Sequence, residues 1–481
     1  MFKYRVFKTE SKCYLYDGTT GNIFEIDELF YNNHVEIFRA LTDNEGYNKL
    51  EKSLKEKVEE LRDAVSNSVM AEVPQHSGKY WFDEEEYFKT LSSDMCQLMI
   101  GITERCNMRC KYCIYSGHYE NERKHSERNI SSDKLKKAID YFYSISKNKN
   151  KIFNFYGGEP FVKFDAIKGS VDYINSIDSS ARFYITTNGT LLSDDIITWF
   201  SNNKNVTLYV SLAGTPQTHD ELRVFKNELP TFSIIKNNIM KLKKTDFDSF
   251  AKRVHFIFNI FDDAQLFEIQ KFWEEDDMFK GNEFLPEITY IDCYGDDGTI
   301  ALLQEKIISK HNNQIAPLEA YIEKVKNNDM NNIISAHFDN KFMRIHRRND
   351  AVDNVFSGVC RPFAKKMFVD VEGNVHMCEN FVNGKEFGTI NDNFDTEKIK
   401  SLLSKYKVAR GDTCSKCWAS KLCSLCYRDI IDRNGDVNET RGKALCHNER
   451  MAILSLLEQY CKVMENGSEF LDHLDKYEIF N

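Results

Sequence analysis

Between Cys96 and Cys293 six short apolar runs alternate with amphipathic stretches of helical period, and few folds are open to a chain written that way. The runs are Cys96–Ile102, Lys151–Tyr156, Arg182–Thr186, Val206–Ser211, Val254–Ile260 and Glu287–Ile291. Such alternation is the pattern of parallel βα units. In the first intervening stretch Leu135, Ala138, Ile139 and Phe142 recur at helical spacing behind Ser131-Ser132-Asp133, a run suited to capping. Six units predict an α/β fold, a partial (β/α)6 barrel left open, with reactive residues at the carboxyl ends of the strands.

Directly after the first run, the segment from Thr103 to Cys113 spaces Cys106, Cys110 and Cys113 as CxxxCxxC. Three thiolates are one short of closing a [4Fe–4S] cube, so one iron is left open for a small ligand. A zinc site or orphan thiols would be the plainer use of such a triplet. A second signature, Asn154-Phe155-Tyr156-Gly157-Gly158-Glu159-Pro160, ends the next predicted strand. Its paired glycines let backbone approach a ligand closely, and Glu159 can hold a positive charge.

Together the two motifs resemble the radical S-adenosylmethionine (radical SAM) superfamily. The resemblance implies a catalytic cluster on Cys106, Cys110 and Cys113 whose open iron is chelated by the amino and carboxylate groups of S-adenosylmethionine. It places Gly157, Gly158, Glu159 and Pro160 about the methionyl amino group and Tyr112 near the adenine. Ribose and carboxylate would lie by Thr186-Thr187-Asn188-Gly189 and Ser211-Leu212-Ala213-Gly214, which assigns Asn188 and Ser211 to the cosubstrate. Relatives often read Ser-Leu-Asp-Gly in the second segment; Ala213 removes that carboxylate, and any role tied to it does not transfer. Arg223 is the expected partner of the methionyl carboxylate, since guanidinium pairs with it bidentately. A surface ion pair is the alternative.

A second cysteine-rich region holds Cys360, Cys378, Cys414-Ser415-Lys416-Cys417, Cys423-Ser424-Leu425-Cys426 and Cys446. Paired CxxC elements alone read as zinc knuckles. Beside the first motif they resemble the SPASM extension, which implies two auxiliary [4Fe–4S] clusters and three in all. Carried over residue by residue, Cys414, Cys417, Cys423 and Cys446 hold the second auxiliary cluster and Cys360, Cys378 and Cys426 the first. The first set has three members, so its remaining position is open for a substrate thiolate or filled by Cys293 or His376. Of the other cysteines, Cys13, Cys96 and Cys461 are expected as small buried hydrophobes, and Cys293 as structural.

Bulk properties narrow the class. The chain has 481 residues, about three domains' worth, and a formal net charge of −10, which argues against a nucleic-acid partner. No apolar run approaches the ~20 residues of a membrane helix, and the start Met1-Phe2-Lys3-Tyr4-Arg5 leads into no signal-peptide core, so a cytoplasmic protein is expected. Fourteen cysteines without a secretion signal read as ligands rather than disulfides.

Four segments follow: a recognition module over 1–90, the barrel over 91–300, a helical bridge over 301–350, and the auxiliary-cluster domain with a closing helix, Met451–Val463, over 351–481. In the first, Phe2, Tyr4 and Val6 alternate with Lys3, Arg5 and Phe7. Strands fit Lys12 to Tyr16 and Ile23 to Ile26, and Tyr47, Leu50, Leu54, Val58, Leu61 and Val65 mark a helix. This small α+β segment resembles the winged-helix-like, PqqD-like recognition element, which implies a leader peptide bound as an added strand along a sheet edge. A dimerisation or structural domain is the alternative use. The loop from Cys113 to Ser126 further resembles maturases of cysteine-rich peptides of the ranthipeptide and sactipeptide type. That resemblance implies thioether crosslinks, made through a 5′-deoxyadenosyl radical in a leader-bearing precursor peptide, with a flavodoxin- or ferredoxin-type reductant. Formylglycine formation in a sulfatase, carbon–carbon crosslinking and a non-catalytic metal-binding scaffold are the other readings.

Overall fold

A computed structural model describes residues 2–72, 84–119, 123–291, 299–308, 316–346, 360–381, 386–392, 394–432 and 434–476. Cys293 and residues 120–122 of the cysteine-motif loop lie outside the described residues.

The amino-terminal segment opens with three antiparallel strands in the order β1 (Tyr4–Lys8), β2 (Cys13–Asp17) and β3 (Ile23–Ile26). Val6 pairs with Leu15 and Leu15 with Phe24. Three helices follow, Glu28–Ala40, Asn44–Lys49 and Lys52–Ser66. The first begins where the Asp27 side chain accepts from the Phe30 amide, and it was not foreseen in the sequence. The helix expected from Tyr47 to Val65 is broken at Leu50, whose ψ of 149° is extended. Past the break, Leu54, Val58 and Leu61 turn onto a small core with Leu15, Ile37 and Phe38. Alternation along β2 sends Tyr14 and Tyr16 to the other side, into the main core of the molecule with Phe7. The module is thus buried against the rest of the chain on that face.

All six expected βα strands are present: β4 (Gln97–Thr103), β5 (Ile152–Gly157), β6 (Arg182–Thr187), β7 (Val206–Leu212), β8 (Val254–Ile260) and β9 (Glu287–Tyr290). They run parallel in sequence order, with Leu98 beside Phe153, Phe153 beside Phe183 and Phe183 beside Val206. Helices Ser132–Ile145, Phe164–Ile177, Asp194–Asn202, Phe232–Thr245 and Leu266–Glu275 connect them. Ser131 caps the first by accepting from the Lys134 amide, as its sequence predicts.

The sheet does not stop at six strands. β10 (Lys366–Val369) pairs in parallel with β4, Met367 against Leu98, and β11 (Val375–His376) pairs antiparallel with β10. The cysteine-rich region therefore supplies two strands to the sheet instead of forming a wholly separate body. The physical reason lies in β4, buried along almost its whole length, whose outer hydrogen-bonding edge would otherwise be bare. The apolar run Met367-Phe368-Val369 carries that signal in only three residues.

The bridge is helical, as expected, over Thr299–Ile308, Pro317–Lys326 and Ile333–His346. The last of these buries Ile334, Phe338 and Phe342 in the main core. Helix Thr396–Ser415 ends in the first CxxC element, and the closing helix starts at Glu439, well before Met451, taking in Cys446 and Cys461. Asn438 fixes that start by accepting from the Arg441 amide. Among the described residues no helix is long and apolar enough to cross a membrane.

Candidate active site

The carboxyl ends of all six parallel strands open on one cavity of about 380 Å3. Behind β4 the cysteine loop is strapped across the strand ends by main-chain bonds, Arg109 N to Val224 O at 2.7 Å and Lys111 N to Leu222 O at 2.9 Å. Cys106, Cys110 and Cys113 all face the cavity. Amide donors stand ready for two thiols: Met108 N lies 3.4 Å from Cys106 Sγ and Tyr115 N 3.4 Å from Cys113 Sγ. The Asn188 side-chain amide reaches Cys106 Sγ at 3.9 Å.

Burial pushes the Cys106 and Cys113 thiols up to about 12, and each feels the neighbouring thiols as well. Burial also raises Cys110, against the pull of the Arg223 guanidinium. Unligated, the three would be neutral at physiological pH; bound iron would hold them as thiolates outright. Among the described residues no three His, Cys, Asp or Glu side chains close tightly enough to hold a single metal ion.

Gly157 and Gly158 line the cavity, and packing explains both. At Gly157, with φ at +143°, a Cβ would stand 2.2 Å from the Thr103 carbonyl oxygen; at Gly158 it would stand 2.2 Å from that of Arg105. The paired glycines thus let the end of β5 press against the backbone of the cysteine loop. Glu159 is 1% exposed and is not among the residues lining the cavity. Its carboxylate accepts from Thr187 Oγ1 at 2.8 Å, Asn188 N at 2.7 Å and Phe161 N at 3.1 Å, tying the end of β5 to the end of β6. Burial pushes that carboxyl up despite these donors. Pro160 likewise opens the buried 3-10 turn Pro160–Lys163 and sits off the cavity wall.

Tyr112, Asn188, Ser211 and Arg223 do face the cavity. Arg223 is 5% exposed, so the surface ion pair considered for it is not what forms. Its Nη1 donates to the Tyr112 hydroxyl at 2.8 Å, and its Nε is buried without a partner. Sequence reasoning missed Asn259 at the end of β8, Tyr290 at the end of β9, and Asn380 and Arg428 from the cysteine-rich region. Asn259 was discoverable, since the strict in–out alternation of Val254–Ile260 puts it beside the other lining positions.

In the second cysteine-rich region burial raises four thiols, and each feels others of that region. Burial raises Cys378 to about 12, and it feels Cys426; Cys426, raised to about 11 by burial, feels Cys360. Burial raises Cys414 to about 11 and Cys423 to about 12; Cys414 feels Cys417 and Cys446, and Cys423 feels Cys414 and Cys446. Of the residues considered for the first set's open position, Cys293 lies outside the described residues. His376 turns Nε2 to Asp370 Oδ2 at 3.1 Å and keeps Nδ1 buried without a partner. Cys13 and Cys461 are buried as expected, while Cys96 is only half-buried, with Sγ 3.5 Å from the Lys365 carbonyl oxygen.

Residues 100–272 match the Radical SAM superfamily, and this stretch is a radical SAM domain. An uncharacterized protein of Methanocaldococcus jannaschii is 32% identical over 139 residues, 28% of this chain and 45% of that protein. The cysteine-type anaerobic sulfatase-maturating enzyme of Clostridium novyi is 26% identical over 196 residues, 40% of this chain and 51% of the enzyme. The chain therefore spans about half the length of these curated relatives. Among solved structures, native anSMEcpe with bound AdoMet and Kp18Cys peptide superposes with a TM-score of 0.53 at 18% identity, covering 79% of this chain and 99% of that one. At that identity the likeness shows a shared fold.

Proposed function

We propose that the protein is a radical SAM enzyme that modifies a peptide, and that it installs thioether crosslinks between a cysteine sulfur and a carbon of a leader-bearing precursor. One observation carries the reading: Asn380 and Arg428, each two residues beyond a cysteine of the three-thiol set Cys360, Cys378 and Cys426, line the same cavity as the CxxxCxxC thiols. A substrate thiolate bound at that set would adjoin the site of hydrogen abstraction.

When bound, a cluster on Cys106, Cys110 and Cys113 together with S-adenosylmethionine supplies a 5′-deoxyadenosyl radical able to remove hydrogen from an unactivated carbon. The chain's part is to hold and shield. Arg223 offers its free Nε to a carboxylate while Tyr112 fixes its Nη1, and Asn188 and Ser211 give polar contacts on the facing strand ends. In the crosslinking step a C–H and an S–H bond break and a C–S bond forms. One hydrogen would leave with 5′-deoxyadenosine, the thiol proton would pass to solvent, and the surplus electron would be accepted by an auxiliary cluster held by Cys360, Cys378 and Cys426. A flavodoxin- or ferredoxin-type protein is the proposed reductant, and two auxiliary clusters complete the proposed set of three.

The amino-terminal module is read as the leader site. β3 is an edge of its sheet, and a groove of about 210 Å3 runs beside it, floored by Phe24, Phe30, Leu61 and Met70 and rimmed by Lys57 and Glu60. An added strand would gain main-chain bonds from β3 and apolar anchors from the groove. The peptide bound by the solved structural neighbour supports a peptide substrate.

Formylglycine formation is the second reading, favoured by the likeness to the Clostridium novyi enzyme. Anaerobic incubation of reduced enzyme with a leader-bearing cysteine-rich peptide, followed by mass spectrometry, separates the two. Loss of two hydrogens per crosslink with a thiol that no longer alkylates supports the thioether; an aldehyde with the sulfur gone supports the alternative.

A further inference from the structure

The amino-terminal module reaches the second auxiliary set directly. Gly18 lies so close to Trp418 that a Cβ there would stand 2.3 Å from the Trp418 carbonyl oxygen. Arg5 sits 5.8 Å over the Trp418 ring, and Lys421 Nζ donates to the carbonyls of Thr19 and Thr20 at 3.3 and 3.0 Å. These contacts clamp β1 and the turn after β2 onto residues 418–421, the loop between Cys417 and Cys423.

Lys3 points into that junction. It is 5% exposed, and its Nζ donates to the buried Ser420 hydroxyl at 3.4 Å. Among the described residues it forms no ion pair with a carboxylate. Asp17, the carboxylate that it feels, gives its oxygens to the amides of Thr19, Thr20 and Ala71 and to the Thr20 hydroxyl. Burial lowers the Lys3 pKa, and the negative groups opposing that shift most are the thiols of Cys417 and Cys414. From the other side Arg410, also 5% exposed, donates Nη2 to Cys446 Sγ at 2.5 Å and keeps its Nε buried without a partner.

Buried cations without counter-charge are costly. Two of them converge here on three of the four thiols, Cys414, Cys417 and Cys446, so charge balance calls for thiolates, the state that metal ligation enforces. The first auxiliary set differs: its nearby lysine, Lys366, is already neutralised by Glu379 at 2.9 Å.

We propose that Lys3 is an electrostatic component of the second auxiliary centre, a fixed positive charge contributed by the amino-terminal module that favours the reduced, more negative state of a cluster on Cys414, Cys417, Cys423 and Cys446. The inference rests on those four cysteines being cluster ligands, as proposed above. Fixed charge close to a buried redox centre acts through a low local dielectric and is only weakly screened.

The test is an anaerobic redox titration of the reconstituted full-length protein followed by EPR, with the second centre's signal assigned as the one lost in Cys414→Ala. Lys3→Met is expected to lower the reduced-to-oxidised ratio of that signal about tenfold at fixed potential, a shift of about 59 mV for a one-electron couple, with the other signals unmoved. Lys3→Arg should restore it. An unchanged titration in Lys3→Met with full iron content overturns the proposal. If Lys3→Met loses that centre's iron while Lys3→Arg keeps it, the charge is confirmed as part of the site; loss in both leaves Lys3 a packing role and overturns the proposal. Should Cys414→Ala cost no iron, the ligand assignment itself fails, a result distinct from these.

Discussion

Arg223 and Tyr112 are joined at 2.8 Å across the cavity mouth, guanidinium Nη1 to phenol oxygen, so the loop after β7 holds the cysteine loop after β4 from the side. Because Nε of the same guanidinium has no partner, the bond positions a charge as much as it ties two loops.

Replacing Arg223 tests that positioning. Arg223→Met is expected to keep the iron of the CxxxCxxC site but weaken S-adenosylmethionine binding roughly 10- to 100-fold, the worth of a charge-assisted hydrogen bond. Arg223→Lys should fall between, since ammonium lacks the planar fork. The apparent affinity measured through uncoupled cosubstrate cleavage decides; an unchanged value would remove Arg223 from the binding site.

Gly158→Ala should damage the fold before the chemistry. Its Cβ would lie 2.2 Å from the Arg105 carbonyl oxygen, a backbone atom that cannot swing aside. A loss of at least about 2 kcal/mol in denaturant melts is expected, with iron content falling in parallel. A variant of full stability would show that the cysteine loop is free to retreat.

For the leader groove, a point change is a cleaner probe than truncation. Removing residues 1 to 90 would strip Phe7, Tyr14 and Tyr16 from the main core. Phe24→Asp instead puts a charge beside Glu25 and Asp27 in the groove. Leader affinity, measured by fluorescence anisotropy, should fall more than about tenfold, with uncoupled cleavage unaffected. Equal affinity in both proteins would place the leader elsewhere.

Asp370 gives a pH-dependent prediction. Burial alone would raise its carboxyl, but the bonds from His376 and Asn374 hold it down at about 2 against an ordinary 3.8. A depressed folded-state value means that the stabilisation is complete above the unfolded value and is lost as pH falls through the folded one. It amounts to about 2 kcal/mol. Urea melts of the protein and of Asp370→Asn should differ by that amount at pH 6 and converge towards pH 2. A constant difference would mean that the carboxylate's charge contributes nothing.

Much of the fold was legible because its strands announce themselves. Val254–Ile260 and Val206–Leu212 alternate without a fault, and the cysteine and glycine motifs sit at strand ends, where the βα pattern puts reactive residues. The sorting of the two cysteine sets rests on resemblance alone. What stayed hidden depends on long-range pairing. β10 is four residues long and closes against a strand more than 250 positions away, which no local period reveals. Glu159 sits in a motif that suggests ligand contact, yet only the three-dimensional positions of Thr187 and Asn188 show that it also ties two strand ends together.

The central claim is an incompletely ligated cluster on Cys106, Cys110 and Cys113 that binds S-adenosylmethionine. Its most direct test is the release of 5′-deoxyadenosine after dithionite is added to protein purified and reconstituted without oxygen, with metal content measured on the same sample and on Cys110→Ala. The expected result is nucleoside from the parent protein, none from the variant, and about four fewer irons in the variant. Zinc in place of iron at that loop, or iron-loaded protein that releases no nucleoside, would contradict it.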